Sequence, residues 1–197
     1  FSLAKIIAIS NQKGGTGKTT TAVNLSTYLA LSNKKTLLVD FDPQGNATSN
    51  LGIDKKKLEK SVYHVLLDKI QPEETILNTA VSNLFLLPSN IDLIGAEIEL
   101  VGIMGREYKL KKTLLKIAQD YDFIIIDCPP SLGLLTINGL VASDRILIPV
   151  QAEYFSLEGL GQLMSTINLI QENVKPELDI LGVVLTMYDR RCRPAND

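Results

Sequence analysis

Short apolar runs, each closed off by polar, Gly or Pro positions, recur along the chain at residues 6–9, 36–39, 84–87, 123–126, 146–150 and 180–185. Runs without polar alternation predict strands buried on both faces. The stretches between them switch period. Ala22, Leu25 and Leu29, then Leu110, Leu114 and Ile117, then Leu160, Leu163, Ile167 and Ile170 each follow a 3.6-residue repeat, which predicts helices with one apolar side. Strands and helices in alternation predict an α/β fold, a mostly parallel sheet covered by helices on both faces. Residues 50–82 are more polar and less regular, and predict short helices decorating the sheet. No fixed-period repeat, low-complexity tract or Pro/Gly/Ser-rich linker divides the chain, so residues 1–189 read as one domain and 190–197 as a basic tail of different character.

Composition changes this picture mainly by exclusion. With 197 residues the chain can bury about 70% of the surface it exposes when unfolded, so it needs no disulfide or structural metal to hold a core. Its two cysteines, Cys128 and Cys192, are far apart, and His64 is the single histidine, which leaves zinc, haem and disulfide frameworks poorly supported and favours a reducing compartment. No apolar run approaches the ~20 residues a membrane span requires, and the start lacks the charged and apolar regions of a secretory signal, so a cytoplasmic location is expected. The net charge of −2 argues against a protein coated in basic charge but leaves room for a small basic patch. Without Trp, and with aromatics at 6%, a base-stacking platform for single strands is not expected.

The chemistry concentrates where strands end. Directly after the first apolar run comes Asn11-Gln12-Lys13-Gly14-Gly15-Thr16-Gly17-Lys18-Thr19-Thr20, followed by a helical pattern. Strand, Gly-rich loop and helix together suit phosphate. Gly14, Gly15 and Gly17 let backbone N–H groups turn toward an anion, with Thr16 and Thr20 completing the cradle, and the helix start adds partial positive charge. Lys18 is placed for the β/γ-phosphates and Thr19 for Mg²⁺. The standard pattern G-x-x-x-x-G-K-[ST] needs Gly where Gln12 stands, and a second lysine, Lys13, opens the loop instead.

The second strand runs into Asp40-Phe41-Asp42-Pro43-Gln44-Gly45-Asn46. In extended geometry the two carboxylates point the same way, which makes Asp42 a candidate to orient an attacking water and Asp40 a candidate to support the metal shell or a switch. A third strand ends in Asp127, an apolar run closing on a carboxylate placed to hold Mg²⁺. Cys128, beside it, reads as a small packed hydrophobe. His64 reads as a surface or helix-packing residue.

These residues together resemble the ParA/Soj type of partitioning ATPase, within the deviant Walker A (ParA/MinD) class of P-loop NTPases. The resemblance rests on residues 9–21, 38–48, 96–100, 122–138, 148–151, 157–160 and 185–189, and Asp42-Pro43-Gln44-Gly45-Asn46 favours partitioning proteins over the MinD type. It implies ATP and Mg²⁺ as ligands, an ATP-dependent homodimer, non-specific binding to double-stranded DNA, stimulation of hydrolysis by a ParB-type partner, and a nucleoid-associated protein in the cytoplasm.

Residue by residue, the resemblance makes Lys13 the lysine that crosses to the partner subunit's phosphates. Lys18 and Thr19 hold phosphate and Mg²⁺, Asp42 positions water, and Asp127 is the Walker B acid. It places Thr186 and Asp189 near the base and Arg191 on DNA phosphate. The family continues past Arg191 with further strand, helix and a second DNA-binding arginine, so this chain is expected to lack a C-terminal strand and helix and to bind DNA weakly. Two other readings stay open: a MinD-like membrane-associated positioning ATPase, and a nucleotide-dependent DNA-binding regulator.

Overall fold

The computed structural model describes residues 3–151 and 156–187, with the side chains of all of these except 156–158. In chain order the elements are β1 (Lys5–Ile9), α1 (Lys18–Leu31), β2 (Thr36–Asp40), α2 (Asn46–Asn50), α3 (Val62–Leu66), β3 (Leu77–Asn78), β4 (Leu84–Leu87), α4 (Leu93–Glu99), α5 (Lys109–Leu115), β5 (Phe123–Asp127), α6 (Leu134–Ala142), β6 (Arg145–Gln151), α7 (Ser156–Asn173) and β7 (Asp179–Thr186).

The strands form one sheet in the order β3-β4-β2-β5-β1-β6-β7. Every pairing is parallel except the short β3–β4 ladder. Because successive strand residues face opposite ways, the apolar runs supply two cores at once. Leu37, Val39, Ile124 and Ile126 face a core completed by side chains from α3 to α7. Leu38, Ile125, Ile7 and Ile9 face a second one under α1 and α2. The buried stripe of α1 is Ala22, Ser26 and Ala30, small residues at four-residue spacing that let the helix lie close on the sheet.

The expected strands and the α/β class are present. Three details differ from the sequence reading. Ile117 is buried, but α5 ends at Leu115 and a 3-10 turn begins next to it. Leu77–Asn78 forms an antiparallel edge strand inside the stretch expected to be helical decoration, alongside α3. β7 is not buried on both faces: exposure alternates along it, with Leu181 at 44%, Val183 at 53% and Leu185 at 62%. A run of apolar residues cannot by itself report which strand stands last in the sheet order among the described residues.

The register fixes the geometry of the site. Ile9 of β1 and Asp40 of β2 both lie level with Asp127 of β5, so three neighbouring strands deliver their carboxyl ends to one line.

Candidate nucleotide site

The loop after β1 turns on two glycines in the left-handed region, Gly15 (φ 75°) and Gly17 (φ 84°). Gly17 precedes α1, whose first turn has no side-chain cap, so its backbone N–H groups remain available to an anion. The start of the loop is tied to the sheet by buried Asn11, which donates to the Pro149 carbonyl (2.7 Å) and accepts from the Lys13 N–H (3.0 Å). The Lys13 carbonyl is the hub of the turn, accepting from Lys18 Nζ (2.8 Å) and Thr16 Oγ1 (3.3 Å).

A cleft of about 270 Å³ opens above this loop, lined by Gly14, Gly15, Gly17, Lys18, Thr19, Thr20, Asp42, Asn46, Pro130 and Met187. Larger hollows lie beside Pro43 and Lys55 (about 460 Å³) and between α1 and β7 (about 550 Å³), but neither includes the phosphate loop. Chemistry, not volume, identifies the site.

Lys18, Asp127, Asp42 and Asp40 set its electrostatics. Lys18 is buried, and desolvation lowers its pKa while Asp127 and Asp42 pull it back up. Asp127 is fully buried, and its carboxyl is pushed up to about 8, first by burial and then by Asp40 and Asp42. The Thr19 hydroxyl and the Lys18 ammonium oppose that rise, yet neither Asp127 oxygen completes a well-aligned hydrogen bond among the described residues. Orphaned buried carboxylate oxygens next to a threonine hydroxyl are what a hard divalent cation satisfies. Among the described residues no group of three His, Cys, Asp or Glu side chains converges to make a cage of its own, which fits Mg²⁺ shared with phosphate oxygens. Asp127 and Thr19 would hold it.

The other expected residues fall less uniformly. Asp42 lines the cleft, its Oδ1 accepting from the Gln44 N–H at 2.8 Å. Asp40 is fully buried and is not among the lining residues. Both its oxygens are committed to protein, Oδ2 to the backbone and hydroxyl of Thr48 (2.7 Å each) and Oδ1 to the Asp42 N–H (3.3 Å). This carboxylate therefore braces the following loop instead of joining a metal shell. Thr186 is likewise engaged in holding structure: its hydroxyl lies 2.8 Å from the Thr16 carbonyl and 3.3 Å from that of Val150. Asp189 and Arg191 lie outside the described residues.

Sequence reasoning missed Asn46, Pro130 and Met187 as lining groups. All three sit inside stretches that carry the family resemblance, but none has a side chain whose chemistry marks it as a nucleotide contact. Cys128 is buried, and burial, followed by the Asp127 charge, raises its thiol pKa, so it packs and does not react. His64 accepts from the Ser61 N–H (3.3 Å) at the start of α3.

A glycine-turned loop between a central parallel strand and a helix, with a lysine in the loop and an aspartate at the end of the neighbouring strand, defines a P-loop nucleotide-binding fold. The model of a family described as an AAA domain matches residues 4–180. The chain is 57% identical over 189 residues to the sporulation initiation inhibitor protein Soj of Bacillus subtilis, covering 96% of this chain and 75% of that protein. It is 50% identical over 194 residues to the chromosome partitioning protein ParA of Myxococcus xanthus, covering 98% and 69%. Among solved structures it resembles a cobyrinic acid a,c-diamide synthase from Mycobacterium smegmatis with bound ATP analog and magnesium (TM-score 0.93, 45% identity, 96% of this chain and 78% of that one). The chain belongs to the Soj/ParA family of chromosome-partitioning ATPases.

Proposed function

We propose that this chain is a Mg²⁺-dependent ATPase that pairs face to face when ATP is bound, associates without sequence preference with double-stranded DNA, and is returned to the unpaired state by hydrolysis stimulated by a ParB-type partner. The observation that carries the nucleotide part is the orphaned Asp127 carboxylate beside Thr19 and Lys18, at the mouth of a loop whose N–H groups have no side-chain cap. Pairing, DNA and the partner come from the family, with Arg191 proposed as a DNA contact.

The geometry supports the following division of labour, with the role of Lys13 taken from the family. Lys18 exchanges its bond to the Lys13 carbonyl for the β/γ-phosphates, and its burial strengthens that attraction. Asp127 and Thr19 hold Mg²⁺, which, when bound, neutralises charge developing on the phosphates. Asp42, on the cleft wall with its rotamer set by Gln44, orients the attacking water. Lys13, whose backbone organises the loop, extends its side chain toward the phosphates of a facing subunit. The deviant form of the loop, with Gln12 where the standard pattern has its first glycine and the extra lysine Lys13 beside it, suits a site completed by a second copy.

The deciding experiment is sedimentation of wild type and Lys13→Ala with Mg²⁺ and a slowly hydrolysed ATP analogue. Wild type should sediment as a dimer and the variant as a monomer that still binds nucleotide. A Lys13→Ala variant that pairs like wild type would remove the cross-subunit role.

A further inference from the structure

Asp42 stands beyond the end of β2, where the ladder no longer holds the chain. The last rung is the Phe41 N–H to the Asp127 carbonyl (3.0 Å). One residue later, the Asp42 N–H donates to a side chain, Oδ1 of Asp40, at 3.3 Å. The placement of Asp42 therefore depends on how firmly the Asp40 carboxylate is held.

Among the described residues no cation pairs with Asp40. Two of the three hydrogen bonds it receives come from Thr48, from its N–H and its Oγ1, both at 2.7 Å and both to Oδ2. Thr48 is fully buried, and its hydroxyl works in both directions, because while donating to Asp40 it accepts the Ser89 N–H at 3.0 Å. Ser89 follows the end of β4, the strand next to β2. A single hydroxyl thus joins the ends of two neighbouring strands to the carboxylate behind Asp42. The loop between is closely fitted. Gly45 adopts φ 58°, and a Cβ there would stand 2.7 Å from the Ser89 carbonyl oxygen.

We infer that Thr48 is a positioning residue for the hydrolytic step, its hydroxyl clamping Asp40 so that Asp40 in turn sets the backbone and carboxylate of Asp42. This rests on the ATPase reading above and adds to it a residue that is fully buried and does not line the cleft. Valine matches the shape of threonine but removes the donor and acceptor, and a buried hydrogen bond to a charged group is worth about ten- to hundredfold in an equilibrium. Serine keeps the hydroxyl.

The test compares wild type, Thr48→Val and Thr48→Ser in two measurements on the full chain: amide hydrogen exchange of residues 42–46 without nucleotide, and single-turnover ATP hydrolysis alongside ATP affinity. Thr48→Val should speed exchange at Asp42 and Gln44 about tenfold while exchange in β1 and β5 is unchanged. It should also slow hydrolysis at least about tenfold with ATP affinity within about twofold of wild type. Thr48→Ser should restore most of both. Unchanged exchange in Thr48→Val, or equal impairment of the valine and serine variants, would overturn the proposal. If wild type itself does not hydrolyse ATP, the ATPase reading fails, and the exchange data still decide whether Thr48 holds the Asp42 loop. A general loss of protection in the valine variant would be read through Thr48→Ser, whose loop must then exchange as in wild type for the clamp to stand.

Discussion

The Thr186 hydroxyl meets the Thr16 carbonyl at 2.8 Å, so the last residue of β7 fastens the phosphate loop that follows β1, across 170 positions of sequence. The fit is close on both sides, since a Cβ on Gly17 would lie 3.3 Å from the Thr186 methyl.

This contact separates two roles for Thr186. If it holds the loop, Thr186→Val should weaken ATP and GTP binding alike, about fivefold, the value of one neutral hydrogen bond. If it reads the base, the variant should alter the ratio of the two affinities. Titration of wild type and variant with fluorescent analogues of both nucleotides distinguishes them, and equal weakening is expected.

Lys18 is the buried ammonium beside the loop, and its Nζ rests on the Lys13 carbonyl. Lys18→Ala should reduce ATP affinity about 100-fold, as expected for losing a charge-assisted contact in a partly desolvated site. Calorimetric titration with MgATP reads this directly. Unchanged affinity in a folded variant would remove the site.

Asp42 lines the cleft without joining the phosphate loop, so its loss should separate chemistry from binding. Asp42→Ala should bind ATP nearly as wild type does and hydrolyse it about 10²–10⁴-fold more slowly, the usual size of a proton-handling or water-orienting contribution. The paired state should outlast that of wild type in sedimentation. Normal turnover would transfer the role elsewhere.

Asp127 and Asp40 make ligand-free stability depend on pH in a direction opposite to ordinary acid denaturation. Burial raises the Asp40 carboxyl to about 6 and that of Asp127 to about 8, above the 3.8 of an unperturbed aspartate. Between pH 4 and 8 the folded chain therefore holds more protons at these sites than the unfolded one. Their contribution is fully present below about pH 4 and is lost as pH rises through 6 and then 8. Asp127→Asn, which cannot ionise, should be more stable than wild type at pH 8 without nucleotide by roughly 1–3 kcal/mol, several degrees in Tm, and the gap should narrow toward pH 5. Thermal melts across that range check the slope, and a gap that widens toward acid would contradict the assignment. The same variant should lose Mg²⁺-dependent strengthening of ATP binding.

Much of the site was legible because its chemistry is local. Lys13 to Thr20 are contiguous, and the spacing of glycines, lysine and threonine needs only a strand before and a helix after to become a phosphate cradle. Asp127 was legible for the same reason, as a carboxylate at the end of an apolar strand. The α/β class followed from two periodicities that any such fold must show. Asp40 was assigned less well, since spacing shows that Asp40 and Asp42 are two residues apart but not which of them the next helix claims.

What the sequence by itself determined is thus the set of short-range units: strands, helices, the loop that turns on Gly15 and Gly17, and the acids at strand ends. What only the tertiary structure decided is how those units share hydrogen bonds. Thr48 reaches Ser89, Thr186 reaches Thr16, and Asn11 reaches Pro149, each because strands far apart in sequence are brought into one sheet. The exposed face of β7 belongs to the same level, because burial depends on a strand's place in the sheet order. A hydroxyl carries the same letter whether it meets water or a buried carboxylate, and its partner exists only once the sheet has assembled.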